Sequence, residues 1–261
     1  MTDILNITLI QSDIVWENID LNLNRYMNII KGTDNADIII FPEMFASGFT
    51  MNKQVFNEFT CNKVYEWVRN AACYKKCAII ASSGYLYEGN IFNRMFFVDE
   101  KGEEQHYDKK HLFSPGKENI NYSAGTERKI FEYKGWRIFP QICYDLRFPV
   151  WSRNNLDYDL MINVANWPAA RQKHWKALLR ARAIENLCYV VGVNRTGTDA
   201  NNIHYKGGSV VYLYDGEIAG ELKGETDTVL SVAINKKKLK KYRKTFGFLD
   251  DADKFEIKKE A

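Results

Sequence analysis

The stretch FPQICYDLRFP, residues 139–149, holds the turn around which the second half of the chain is organised. The apolar run from Arg137 to Ile142 is typical of a buried strand. Asp145 is a residue type that caps helices, and Leu146 to Asn154 favour a short helix. Cys143 is therefore predicted at a tight strand-to-helix turn, where its side chain would be lifted out of the sheet.

Hydrophobic periodicity predicts alternating strands and helices on both sides of this turn. The first half of the chain reads β-α-β-α-β-β-β, with one helix from about Ile19 and another around Val64. The second half returns to this order, with a hairpin through Lys134-Gly135 and a long helix from about Arg171. Its other predicted strands are DLMINVA, CYVVGVN, GSVVYLY, EIAGEL and TVLSVAI.

These two halves predict an α/β fold. Apolar strands covered by amphipathic helices bury most surface when two sheets pack together and the helices stay outside. We therefore expect a four-layer α-β-β-α sandwich of two pseudo-symmetric halves. Because no Pro/Gly/Ser-rich or low-complexity linker separates the halves, residues 1–261 are predicted to form one domain.

Composition and charge narrow the classes of function. The chain has 261 residues, 46% of them hydrophobic, and a formal charge of +3, so neither nucleic acid nor an anionic membrane is an expected partner. No stretch approaches the roughly 20 apolar residues of a membrane span, and the N-terminus lacks signal-peptide features, so a cytoplasmic location is expected. The five cysteines form no CxxC pair and the four histidines show no paired-ligand spacing. No disulfide framework, metal site or nucleotide motif is predicted.

Two more residues with useful chemistry follow predicted strands. Glu43 comes after the apolar strand DIIIF, and Lys109 comes after a strand that ends near Asp108. Each residue has an ordinary interpretation when taken alone: Cys143 as a buried core residue, Glu43 as a solvated strand end and Lys109 as a solvated loop charge. Ligands of open α/β sheets, however, collect at the carboxyl ends of strands. A nucleophile, a carboxylate and a cation at such ends are more informative together than apart.

The order and motifs of these residues resemble the nitrilase superfamily of carbon–nitrogen hydrolases. PEMF, YDKKHL and CYDLRFP match the segments in which that family carries a glutamate, a lysine and a cysteine. The resemblance covers nearly the whole chain, and PEMFASGFTM and CYDLRFPVWSRN are most similar to its omega-amidase branch. It implies Glu43, Lys109 and Cys143 as catalytic residues. It also implies Glu118 as the second glutamate that positions the lysine in many members.

The resemblance implies amide hydrolysis through a cysteine thioester, with no cofactor. Omega-amidases hydrolyse the terminal amide of short 2-oxo dicarboxylic acid monoamides, such as 2-oxoglutaramate and 2-oxosuccinamate, and release ammonia. Cys143 would attack the amide carbonyl and Glu43 would move the protons. Lys109 and the backbone N–H of Tyr144 would hold the oxyanion. N-carbamoyl amino acids, other aliphatic amides and nitriles stay open as substrates, since the same three residues serve those reactions.

The residues that would select a substrate are less clearly marked. A substrate carboxylate favours arginine, because the guanidinium group offers two parallel hydrogen bonds. Arg147 and Arg171 are the candidates, although each could equally form a structural ion pair. Phe45 and Trp167 are predicted to wall the pocket, although aromatic residues in such positions are also typical of a core.

The segment KKKLKKYRK, residues 236–244, has seven basic residues among nine. It would suit a nucleic-acid-binding module if stacking aromatic residues or a second basic face accompanied it, and they do not. Leu239, Tyr242 and Phe246 fall at about helical spacing, so an amphipathic helix with a solvated basic side is predicted. In related enzymes the C-terminal segment packs across a dimer interface. The resemblance thus implies that residues 236–261 contribute to a homodimer.

Overall fold

A computed structural model describes residues 2–258 of the chain; Met1 and the last three residues of the 236–261 segment lie outside the described residues. The first half has the predicted order of elements. Its strands and helices are β1 (Ile4–Gln11), α1 (Ile19–Gly32), β2 (Ile38–Ile40), α2 (Glu58–Lys75), β3 (Ala78–Tyr87), β4 (Asn90–Val98) and β5 (Glu104–Asp108), followed by the one-turn helix α3 (Glu118–Asn121).

The second half also follows the predicted order, with one addition. Its elements are β6 (Phe131–Tyr133), β7 (Trp136–Ile142), α4 (Pro149–Ser152), β8 (Leu160–Ala165), α5 (Gln172–Asn186), β9 (Tyr189–Asn194), β10 (Thr196–Thr198), β11 (His204–Lys206), β12 (Val210–Tyr212), β13 (Ile218–Glu221), β14 (Thr228–Asn235) and α6 (Lys236–Thr245). The hairpin of β10 and β11 was not predicted, because its three-residue strands lie in a polar stretch without an apolar alternation.

Two mixed six-stranded sheets form the centre of the fold. The first has the order β14-β1-β2-β3-β4-β5 and the second the order β13-β12-β9-β8-β7-β6. In each sheet three consecutive strands run parallel, β1-β2-β3 in one and β7-β8-β9 in the other, and the remaining strands are antiparallel to their neighbours. This arrangement confirms the predicted four-layer sandwich of two similar halves.

Alternating side chains separate the inner and outer layers of the first sheet. Ile38 and Ile40 of β2 belong to a large cluster that includes strand residues of both sheets. Ile39 between them points the other way and packs with residues of α1 and α2. The period of two along a strand therefore supplies one face to the other sheet and one face to the helices.

The last strand crosses between the halves. β14 follows the second sheet in the chain, yet it pairs antiparallel with β1 over Ile4–Gln11. This pairing covers what would otherwise be an open edge of β1, and unpaired edges are sites of unwanted association. The halves are thus joined by backbone hydrogen bonds as well as by side-chain packing.

The turn after β7 differs from the prediction. A 3₁₀ turn over Cys143–Arg147 is followed by the single helical turn α4, where a continuous helix over 146–154 was expected. Pro149 explains the break, because a proline disfavours helical geometry in the residue before it, and Phe148 is extended with φ −111° and ψ 91°.

The basic C-terminal segment forms the predicted amphipathic helix. Leu239 of α6 is fully buried. Lys236 pairs with Asp159, and Arg243 donates to the backbone oxygens of Leu187 and Tyr158 at 2.7 and 2.6 Å. Several of the basic side chains are therefore engaged with the body of the protein. Within residues 2–258, no helix combines the length and the apolar character needed to cross a bilayer.

Candidate active site

The three residues that the motifs single out meet at one end of the two sheets. Glu43 follows β2, Lys109 directly follows β5 and Cys143 directly follows β7. Glu43 and Lys109 are fully buried, and Cys143 is partly buried. All three line the same cavity, together with Tyr144. The strand ends therefore bring together side chains that are as many as 100 residues apart in the sequence.

Cys143 occupies a strained backbone position. Its φ is +46°, in the left-handed region that non-glycine residues rarely adopt. Such strain persists where the surrounding structure fixes the conformation, and it concentrates at functional sites. The Sγ atom lies 3.9 Å from the backbone oxygen of Asn166, at the end of β8. The turn thus presents the sulfur to the cavity between the ends of β7 and β8.

Asp145 fixes this turn. Its buried carboxylate accepts hydrogen bonds from the backbone N–H of Ile142 at 3.0 Å and from the hydroxyl of Tyr107 at 2.9 Å. It also accepts from the backbone N–H of His111 at 2.9 Å and contacts His111 Nδ1 at 2.8 Å. Asp145 therefore ties the Cys143 turn to the segment that carries Lys109. Its expected role as a cap holds, but it caps the turn and the neighbouring loop instead of a long helix.

A buried cluster of charges surrounds Lys109. Its Nζ donates to Oε1 of Glu43 at 2.9 Å and to both carboxylate oxygens of Glu118 at 3.0 and 2.9 Å. Oε2 of Glu118 also accepts from the backbone N–H of Phe113 at 2.6 Å. Glu118 is thus held against Lys109 by α3 and the preceding turn.

The charges in this cluster move the pKa values of its members. Burial alone would lower the pKa of Lys109, but the carboxylates of Glu118 and Glu43 raise it above its ordinary value, so the ammonium form is stable. Burial raises the pKa of Glu118, and Lys109 partly opposes this shift.

The electrostatics of the site also act on the thiol of Cys143. Burial, and next the Glu43 carboxylate, raise the pKa of Cys143 well above its ordinary value, while Lys109 acts in the opposite direction. The turn that begins at Cys143 therefore does not favour the thiolate. The five-residue 3₁₀ turn has little dipole, and the adjacent carboxylate outweighs it.

The cavity has a volume of about 470 Å³, and aromatic side chains contribute to its lining. Arg147, Trp167 and Arg171 all line it. The guanidinium carbon of Arg147 lies 4.7 Å from the centre of the Trp167 ring, and that of Arg171 lies 5.6 Å from the centre of the Phe113 ring. Neither arginine forms an ion pair with a residue in the described range 2–258. Both charges are thus available to a ligand.

Phe45 is not among the residues that line the cavity. It is fully buried and packs against Tyr26, Phe41 and Trp67, in the layer between the first sheet and its helices. The prediction that Phe45 walls the pocket is therefore wrong. Residue 45 lies beyond the strand end, and its side chain turns toward α1 and α2 while Glu43 faces the second sheet.

Two asparagines in the site were missed by sequence reasoning. The backbone N–H of Asn166 donates to Oε2 of Glu43 at 2.7 Å, and its Nδ2 donates to the backbone oxygen of Glu43, also at 2.7 Å. Asn93 Nδ2 donates to Oε1 of Glu43 at 2.9 Å and to Oε1 of Glu118 at 3.2 Å. The strand-end rule that found Cys143 would have pointed to Asn166, which directly follows β8. Asn93 lies within β4 and carries no such signal.

The side chains that could coordinate a metal ion were compared with the requirements of a metal site. Among residues 2–258, no three His, Cys, Asp or Glu side chains converge as a metal ion would require. The cavity offers instead a sulfur, a carboxylate and an ammonium within reach of one another. Such a set can attack a carbonyl carbon, move protons and stabilise an oxyanion.

Known proteins with similar sequences and structures are hydrolases. The chain is 43% identical to the omega-amidase YafV of Yersinia enterocolitica over 251 residues, which cover 96% of this chain and 98% of that protein. It is 30% identical to a 2-oxoglutaramate amidase of Bacillus subtilis over 254 residues, 95% of this chain and 97% of that protein. A crystal structure of a CN-hydrolase superfamily protein from Xanthomonas campestris, with an arsenic adduct in its active site, superposes with a TM-score of 0.91 at 38% identity. It covers 98% of this chain and 100% of that one.

The family assignment follows from the extent of these matches. The carbon-nitrogen hydrolase family matches residues 6–244, which run from within β1 to within α6 and include every element between them. The motifs around Glu43, Lys109 and Cys143 lie within the matched range. This chain belongs to the carbon-nitrogen hydrolase family, as its sequence motifs predicted.

Proposed function

We propose that this protein is an omega-amidase that hydrolyses the terminal amide of short 2-oxo dicarboxylic acid monoamides and releases ammonia. The observation that carries the proposal is the convergence of Glu43, Lys109 and Cys143 on one cavity with Arg147 and Arg171 in its wall. The similarity to omega-amidase YafV and to 2-oxoglutaramate amidase supports the same reaction and substrate class.

The first half-reaction forms a thioester. Cys143 Sγ attacks the amide carbon as its proton passes to the Glu43 carboxylate, which lies against the thiol. The carbonyl becomes an oxyanion, held by the ammonium of Lys109 and the backbone N–H of Tyr144. The Glu43 carboxyl group then gives its proton to the amide nitrogen, the C–N bond breaks and ammonia leaves.

The second half-reaction regenerates the thiol. Glu43 removes a proton from water, whose oxygen attacks the thioester carbon. The oxyanion forms again at the same donors, the C–S bond breaks, and the proton on Glu43 returns to the sulfur. The sum of both halves is the addition of one water to the amide, giving a carboxylic acid and ammonia. Glu118 and Asn166 hold Lys109 and Glu43 in place throughout.

The charge of the cavity wall favours an anionic substrate. Arg147 and Arg171 would hold the carboxylate and oxo end of the molecule while the amide faces Cys143. Trp167 and Phe113 pack against the two guanidinium groups and keep them at the wall. A cavity of about 470 Å³ is large enough for a five-carbon acid, since small-ligand sites in proteins start near 300 Å³.

A substrate panel tests this proposal. Purified protein is assayed for ammonia release from 2-oxoglutaramate and 2-oxosuccinamate, beside an N-carbamoyl amino acid, a simple aliphatic amide and a nitrile. Cys143→Ala is the control for the chemistry. We expect the two 2-oxo acid monoamides to have the highest kcat/KM. A preference for the carbamoyl compound or the nitrile would replace the proposed substrate class, and equal inertness of wild type and Cys143→Ala would end the enzyme assignment.

We further propose that the protein is a homodimer to which residues 236–261 contribute. Phe246, just after α6, is 57% exposed and stacks edge-on with Tyr242 and Phe248, so an aromatic patch faces outward. Phe246→Glu is expected to reduce the mass measured by sedimentation to that of one chain. Phe59→Glu, at a residue of α2 that is 75% exposed, is the matched control and should leave the mass unchanged. A monomeric wild type would contradict the proposal.

A titration of the protein with an oligonucleotide tests whether the basic segment binds nucleic acid. Lys236 and Arg243 are engaged with Asp159, Leu187 and Tyr158, which reduces the free charge of α6. We expect no oligonucleotide binding at low salt. Binding that weakens steeply with added salt would revive this function.

A further inference from the structure

Asn93 sits between the two buried carboxylates of the site. It lies on β4, is fully buried, and its Nδ2 donates to Oε1 of Glu43 at 2.9 Å and to Oε1 of Glu118 at 3.2 Å. The same two oxygens accept from Lys109 Nζ at 2.9 and 3.0 Å. One ammonium and one amide nitrogen therefore bridge the same pair of carboxylate oxygens.

The strand fixes the position of this amide. The backbone oxygen of Asn93 accepts the N–H of Lys109 at 3.0 Å, so the residue is paired to the chain that carries the ammonium. On its other side Asn93 is in register with Gly84 of β3. The direction of the amide is set by its neighbours, because only the NH₂ end can face two carboxylates.

The cluster holds more carboxyl groups than ammonium groups. When both carboxyl groups are ionised, Glu43 and Glu118 place two negative charges against the one positive charge of Lys109, and all three side chains are fully buried. Cys143 faces the cluster from the end of β7 as a thiol, and Tyr122, from the end of α3, faces it as a phenol that donates to the backbone oxygen of Thr50. Two carboxylates at close range commonly share a proton, because both cannot be charged without stabilisation.

We propose that Asn93 is a positioning residue that keeps Glu43 and Glu118 from sharing a proton, so that Glu43 stays free to exchange protons with Cys143. An amide supplies two N–H donors at a fixed angle, one for each carboxylate, and it has no proton to give or take near neutral pH. A second lysine in this place would pair with Glu43 too strongly for a base. An aspartate or glutamate would add a third negative charge. The proposal rests on the role of Glu43 in the proposed function.

The test compares Asn93→Leu with Asn93→Thr. Leucine keeps a similar size and removes both donors, whereas threonine keeps one hydroxyl donor and suits a strand. Asn163→Leu is the matched control: Asn163 is a fully buried asparagine of β8 whose amide has no hydrogen-bond partner among the described residues. Each variant is characterised by its melting temperature, the pH dependence of kcat/KM for 2-oxoglutaramate, and the pH dependence of Cys143 alkylation by iodoacetamide, followed by mass spectrometry.

Loss of the donors makes the pair of carboxylates harder to ionise. We expect the acidic limb of kcat/KM, and that of Cys143 alkylation, to move to higher pH by about one to two units in Asn93→Leu and by less in Asn93→Thr. Asn163→Leu is expected to keep the wild-type midpoints. Changes in melting temperature do not by themselves move these midpoints, so a purely structural role would leave them in place.

The two readouts separate this proposal from the proposed substrate. If alkylation of Cys143 shifts in Asn93→Leu while no 2-oxo acid monoamide is hydrolysed, the role of Asn93 stands and the substrate is wrong. If the midpoint of alkylation is the same in wild type and both Asn93 variants, the role of Asn93 is wrong whatever the substrate. Should Asn93→Leu fail to fold, the comparison of Asn93→Thr with wild type decides the question in the same way.

Discussion

Lys109 Nζ donates to both carboxylate oxygens of Glu118, at 3.0 and 2.9 Å, and both side chains are fully buried. This two-point contact orients the ammonium without occupying the cavity, because Glu118 approaches it from α3 and is not among the residues that line the cavity. The contact also stabilises the cluster, because a buried charge without a partner lowers the free energy of unfolding far more than a paired one.

The first prediction concerns removal of the Lys109 ammonium group. Lys109→Met leaves Glu43 and Glu118 buried without their shared cation, so we expect a loss of about 3–5 kcal/mol in the free energy of unfolding, measured with urea. Adding Glu118→Gln removes one of the two buried carboxylates that lack a cation. The double variant should therefore recover part of the lost free energy of unfolding. Neither variant is expected to hydrolyse amides. A Lys109→Met protein as stable as wild type would contradict the described charge cluster.

The second prediction concerns the turn that presents the sulfur. Asp145→Asn replaces two acceptor oxygens by one and places an NH₂ group against donors from Ile142, Tyr107 and His111. We expect a loss of about 2–4 kcal/mol in stability, because hydrogen bonds to a buried charge contribute about 1.5–3 kcal/mol each and some are replaced by repulsive contacts.

Activity and a matched control complete this experiment. In Asp145→Asn, kcat should fall by roughly ten-fold or more, because the backbone of Cys143 loses its anchor. Asp157→Asn is the control, since the side chain of Asp157 is 86% exposed and asparagine tolerates its positive φ of 51°. Equal effects of the two substitutions would mean that Asp145 does not hold the turn.

The third prediction is the protonation state of the nucleophile. Because burial and Glu43 raise the pKa of Cys143, the side chain should remain a thiol at pH values where an ordinary cysteine, with a pKa near 8.5, is half ionised. The thiolate absorbance of wild type minus that of Cys143→Ala should therefore show no step between about pH 6 and pH 9. The exposed Cys73 is present in both proteins and cancels. In denaturant the step should appear at the ordinary pKa; a native step below it would contradict the prediction.

The fourth prediction separates substrate binding from chemistry. Arg171→Met and Arg147→Met each remove a cavity charge that has no carboxylate partner in the described part of the protein. If these arginines bind the substrate carboxylate, KM for 2-oxoglutaramate should rise by roughly ten- to a hundred-fold per substitution. The rate with a neutral aliphatic amide should change by only a few-fold. Equal losses with both substrates would assign the arginines to structure instead.

Some parts of the site were predictable because they are encoded locally. Glu43, Lys109 and Cys143 follow strands that apolar periodicity marks, and short motifs place each of them. Glu118 was placed by the resemblance alone. Asn93 was not found, because a polar residue inside a strand resembles any other until the strand's partners are known.

By itself, the sequence determined the strands and helices, the two-sheet architecture and the residues at the strand ends, because periodicity and turn chemistry depend on near neighbours. Only the tertiary structure decided that β14 joins the first sheet, that Phe45 faces the helices, and that Asn93 and Asn166 hold Glu43. It also decided that burial and the Glu43 carboxylate raise the pKa of Cys143. These properties arise from burial and from contacts between distant segments, and both come into existence only when the sheets have packed together.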